Sequence, residues 1–105
     1  MSKPVLLTVD DDPQVLNAVE RDLRRHYRSE YRVIKASAGL EALDVVRQLS
    51  QRGDPLALFL VDQRMPGMTG VEFLSQALKF YPQARKVLLT AYADTQAAIE
   101  SINEI

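Results

Sequence analysis

With 105 residues, 47% of them apolar and 26% charged, the chain has the make-up of one compact soluble domain with a single core. Its 13 basic and 14 acidic residues leave a formal charge of -1, which excludes a global field that would draw in nucleic acid or an anionic membrane. No cysteine is present, so disulfides, thiolate metal sites and a thiol nucleophile are excluded, a composition that suits a reducing cytoplasm.

Taken in order, the apolar runs alternate between short β-rich stretches and longer ones with helical spacing. Val5–Val9 predicts a first strand, cut off by Asp10 too early for a signal peptide or a membrane span. Asp12 before Pro13 predicts the N-cap and first position of a helix whose inner stripe is Val15, Val19 and Leu23. A second strand is expected over Tyr31–Ala36. Ala42, Val45, Val46 and Leu49 mark a second helix, which Gly53, Asp54 and Pro55 end. Leu56–Val61 predicts a third strand, and Val71, Leu74, Ala77 and Leu78 a third helix closed by Pro82. Lys86–Thr90 predicts a fourth strand, after which Asp94 would cap a helix through Ala98 and Ile102. The first, third and fourth strands are nearly unbroken in apolar residues, as in a parallel sheet covered on both faces. The order βαβαβαβα with right-handed crossovers gives an α/β fold with helices on both sides, and no linker divides residues 1–105.

In such sheets ligands gather beyond the carboxyl ends of the strands. Asp10 and Asp11 follow the first strand and Asp62 the third, and in a doubly wound order these strands are neighbours. Three converging carboxylates raise one another's pKa or call for a cation, and an all-oxygen donor set favours a hard ion such as Mg2+.

The fragments LLTVDDDP, LFLVDQRMPGMTG and KVLLTAY, in this order and spacing, resemble the receiver domain of bacterial two-component response regulators, and the resemblance spans essentially the whole chain. It implies a flavodoxin-like sheet of strand order 2-1-3-4. Asp62 would be the phosphoacceptor, with Mg2+ held by Asp11, Asp10, Asp62 and the backbone carbonyl of Arg64. Thr90 would donate its hydroxyl to a phosphoryl oxygen and act as a switch beside the small Ala91, and Arg64 and Tyr92 resemble positions that tune phosphoryl lifetime. A sensor histidine kinase would be the donor and an output domain or effector the target, in the cytoplasm. Receivers normally continue with a fifth strand, carrying a lysine, and a fifth helix. The sequence ends at Ile105 and is read as truncated before both, since neither Lys79 nor Lys86 is placed to substitute. This leaves the fourth strand as an apolar edge and predicts self-association through it or through the fourth-helix face.

Two other readings fit some of the same residues. One is a receiver-fold interaction module that is never phosphorylated; the other is a haloacid-dehalogenase-type phosphatase built on Asp10-x-Asp12, although Pro13 and Gln14 depart from that pattern. Asp12 itself reads as a helix cap. Gly67 and Gly70 do not form a nucleotide-cradling loop. Arg21, Arg24, Arg25, Arg28 and Arg32 form a basic patch with His26 inside it, read as a solvated helix end that could also meet an acidic partner.

Overall fold

The computed structural model describes residues 3–89. They form β1 (Val5–Val9), α1 (Pro13–Tyr27), β2 (Arg32–Ala36), α2 (Gly39–Arg52), β3 (Leu56–Asp62), α3 (Gly70–Ala77) and β4 (Arg85–Leu89). The strands make one parallel sheet in the order β2-β1-β3-β4, the expected flavodoxin-like arrangement. The expected last helix, with its Asp94 cap, and Thr90 lie outside the described residues.

The local signals explain the boundaries. Asp12 caps α1, its carboxylate accepting from the Gln14 N–H at 2.9 Å and the Val15 N–H at 3.5 Å, with Pro13 in the first turn. Gly53 ends α2 in the left-handed region at φ 74°, where its N–H reaches the Leu49 and Ser50 carbonyls. A capping box starts α3, the Thr69 hydroxyl accepting from the Glu72 N–H while the Glu72 carboxylate accepts from the Thr69 N–H.

The core lies between the sheet and α2 and α3. Val5, Leu7 and Val9 of β1 meet Phe59 and Val61 of β3, Ala42, Leu43, Val46 and Leu49 of α2, and Phe73, Leu74 and Ala77 of α3. Phe59 and Phe73 pack edge to face with ring centroids 5.7 Å apart.

Three expectations need correction. The inner stripe of α1 is centred on Leu16, with Val19 and Leu23 half-buried and Val15 exposed, because the helix packs on the sheet with Leu16 rather than Val15 turned inward. The third helix ends at Ala77 rather than at Pro82, since the Ala77 carbonyl accepts from both Phe80 and Tyr81 and tightens the chain into a turn. Burial on both faces holds for β1 alone: Leu58 and Leu60 of β3 are half-buried, and Val87 and Leu89 of β4 are exposed. Among the described residues α1 lies over β1 and β2 on its side of the sheet, so the same side of β4 has no helix against it and β4 forms an edge.

Candidate functional site

The register of the two central strands builds the site. Leu7 sits beside Phe59 and Val9 beside Val61, so one further step brings Asp10 level with Asp62. Side-chain alternation sends the residues after Val9 and Val61 to the opposite face from the core. Asp10, Asp11 and Asp62 then converge, with one ligand oxygen from each lying within 4.8 Å of the other two.

The three acids differ in environment. Asp10 is buried, Asp62 half-buried and Asp11 exposed. Asp10 accepts from the Asp12 N–H at 2.9 Å; burial nevertheless raises its pKa, and the charges of Asp11 and Asp12 add to the rise. Asp62 is pushed up to about 6, first by burial and then by the charge of Asp10. The Arg64 N–H donates to its carboxylate and opposes the rise, while the charge of Asp11 and a hydrogen bond between the Asp11 and Asp62 side chains add to it. Like charges gathered this closely are an arrangement that a bound cation relieves.

The donor set fits Mg2+. It consists of oxygen alone, the donor type that a hard divalent cation takes, and Asp10, Asp11 and Asp62 each offer one oxygen within 4.8 Å of the other two. Asp12, the third consecutive acid, is instead engaged in capping α1.

Behind Asp62, the loop is fixed by a residue with no chemical signature in the sequence. The Gln63 N–H donates to the Leu89 carbonyl at 2.9 Å, continuing the ladder to β4. Its own carbonyl accepts from Gly70 at 3.1 Å and from Met65 at 3.2 Å, and its side-chain carbonyl accepts from the Val71 N–H at 2.9 Å. Gly70 is a second residue of this kind: a Cβ there would stand 2.6 Å from the Asp62 carbonyl oxygen. Two glycines three residues apart after Asp62 were the available signal. Gly67 turns the loop at φ 81°, and Gly70 lets α3 start directly against the strand end.

Comparison with known proteins agrees with this geometry. A family model described as the response regulator receiver domain matches residues 6–104. The chain is 37% identical over 99 residues to the hydrogenase transcriptional regulatory protein HoxA of Cupriavidus necator, covering 94% of this chain and 19% of that protein. It is 35% identical over 71 residues to sporulation initiation phosphotransferase F of Bacillus subtilis, covering 68% of this chain and 53% of that one. Among solved structures, one described as adenylate cyclase from Rhodopirellula baltica matches with a TM-score of 0.81 at 33% identity, over 97% of this chain and 70% of that one. A CheY-like response regulator receiver domain protein from Methanospirillum hungatei JF-1 matches with a TM-score of 0.76 at 29% identity, over 97% of this chain and 75% of that one. The chain spans about a fifth of the length of several transcriptional regulators that it matches.

Proposed function

Because this chain belongs to the response regulator receiver domain family, we propose that Asp62 accepts a phosphoryl group from a sensor histidine kinase, with Mg2+ beside it, to control an output domain or effector. The observation that carries this reading is the convergence of Asp10, Asp11 and Asp62 at the carboxyl ends of two adjacent strands.

In the proposed step an Asp62 carboxylate oxygen forms a bond to phosphorus while the bond from phosphorus to the donor breaks, and the donor leaves with the electron pair and takes up a proton. Asp62 must be ionised to attack, and with its pKa near 6 most of it is ionised at pH 7. Asp11, Asp10, Asp62 and the Arg64 carbonyl would hold Mg2+, which would supply the positive charge that lets one anion approach another. The Arg64 N–H, already donating to Asp62, fixes the orientation of the carboxylate. Thr90 follows the last described residue of β4 and is assigned the phosphoryl hydrogen bond and the switch.

The module turns over no external metabolite and works in the cytoplasm; no helix among the described residues is long and apolar enough to cross a membrane. A dehalogenase-type site would need the Asp12 carboxylate, which the α1 cap occupies. Self-association through β4 belongs to the same proposal, supported by exposed Val87 and Leu89 on the edge strand, and light scattering over a concentration series tests it.

Intact-mass measurement after incubation with Mg2+ and acetyl phosphate tests the phosphoacceptor role. One added phosphoryl group is expected on the chain and none on Asp62→Asn. A chain that binds Mg2+ yet stays unmodified would leave the interaction-module reading, and sustained hydrolysis of a phosphate ester would point to a phosphatase.

A further inference from the structure

At the amino end of the sheet, away from the acids, four cations from separate parts of the fold converge. Lys3 precedes β1, Arg24 lies in the last turn of α1, Arg28 caps that helix and Arg32 opens β2. With Tyr31 and Val33 they line one open depression of about 340 Å3. The helix dipole favours cations in the last turn of α1, but it gives no reason for Lys3 and Arg32 to arrive at the same place from two other elements.

The partners of these cations divide them. Arg24 is anchored, with Nη2 3.4 Å from Glu20 Oε2 and donating to the Val33 carbonyl at 3.2 Å. Arg32 stands 3.3 Å from Asp54. Lys3 Nζ donates to the Arg28 carbonyl at 3.3 Å, which ties the start of β1 to the end of α1 but leaves the ammonium charge uncompensated. Among the described residues neither Lys3 nor Arg28 forms an ion pair.

We infer that this depression docks an acidic polypeptide segment, its carboxylates pairing with Arg28 and Lys3 and resting against Arg24. Guanidinium groups accept carboxylates two-pronged, and two cations held in place by their other contacts lose little freedom when a ligand arrives. A peptide fits better than nucleic acid. The cations occupy one depression, with Glu20 beside Arg24 and Asp54 beside Arg32, and a continuous phosphate backbone running past Lys3 and Arg28 would meet those acids.

Fluorescence anisotropy with the full chain and a labelled oligoglutamate peptide tests the inference, beside a single-stranded oligonucleotide of equal charge. Saturable binding to oligoglutamate is expected, tighter than to the oligonucleotide and weakening as salt rises. The double variant Lys3→Glu with Arg28→Glu should lose affinity by about tenfold or more, whereas Arg47→Glu, at an exposed position of α2 and paired with Asp44, should stay within about twofold. Should the double variant not fold by circular dichroism, Arg28→Gln replaces it, with a loss of about threefold expected. Absence of saturable binding, equal weakening by Arg47→Glu, or tighter binding of the oligonucleotide overturns the inference.

Discussion

The two ends of the sheet treat charge in opposite ways. At the carboxyl end Asp10, Asp11 and Asp62 are held together against their own repulsion, and Asp10 and Asp62 are raised in pKa, first by burial and then by the neighbouring charges. Near the amino end, Asp54 lies between Arg32 Nη2 at 3.3 Å and Arg52 Nε at 3.5 Å, and its backbone carbonyl accepts the Tyr81 hydroxyl at 2.6 Å. The second arrangement neutralises itself and joins β2, the end of α2 and the turn after α3. The first gains nothing from being assembled unless something else binds there. Local electrostatics thus separates a cluster that supports the fold from one proposed to hold a cation.

Four substitutions can break or sharpen this contrast. The largest effect is expected from Gly70→Ala, whose new methyl would meet the Asp62 carbonyl oxygen and Leu88 Cδ1, each at 2.6 Å. Urea unfolding should show a loss of about 2–3 kcal/mol, and Mg2+ affinity should fall with it because the backbone of Asp62 must shift. Next comes Asp54→Ala, which strips Arg32 of its counter-charge while the Arg32 Nε and Nη2 atoms are buried without a hydrogen-bond partner. Although those two atoms are covered, the Arg32 and Arg52 side chains as a whole are 40% and 63% exposed, which limits the expected loss to about 1–2 kcal/mol, read from the same titration. Tyr81→Phe removes one hydrogen bond to a part-buried backbone carbonyl and should cost about 1 kcal/mol, visible as a lower thermal midpoint.

Asp62→Asn has the smallest effect on stability and the opposite sign. Without Mg2+ it should stabilise the chain, by less than about 1 kcal/mol once solvent screening is allowed for. The pH dependence follows from the raised pKa. Between the ordinary value of 3.8 and about 6 the folded state holds more protons on Asp62 than the unfolded state, so the contribution of Asp62 to stability is greatest below this window and falls as pH rises through it. Thermal melts across that range should show the decline in the parent chain and a flatter profile in Asp62→Asn. A variant that is less stable than its parent at pH 7 would erase the distinction between the two ends.

The fold was legible where periodicity and punctuation agreed. Unbroken Val5–Val9, the Asp12-Pro13 cap and the Gly53 stop each correspond to an observed boundary, and the strand order followed from the family resemblance. The acidic triad was equally legible, because parallel neighbours put residues that follow their strands side by side. Periodicity failed where tertiary context decides: Leu16 rather than Val15 is the buried anchor of α1, a matter of helix rotation against the sheet. The spacing Thr69-x-x-Glu72 was a readable cap for α3. The clamp formed by Gln63 had no such signal, since its role depends on the Leu89 carbonyl and the Val71 N–H meeting it in space.

β1 is paired on both sides and buried along its whole length, and its next residues are Asp10 and Asp11. Amide hydrogens in such a segment exchange only when the entire domain opens, whereas those of β4, at the sheet margin, can be released by local fraying. Two of the three acids are therefore attached to the part of the chain that should open last. Thermal fluctuation that loosens the rim leaves those two acids where the fold holds them.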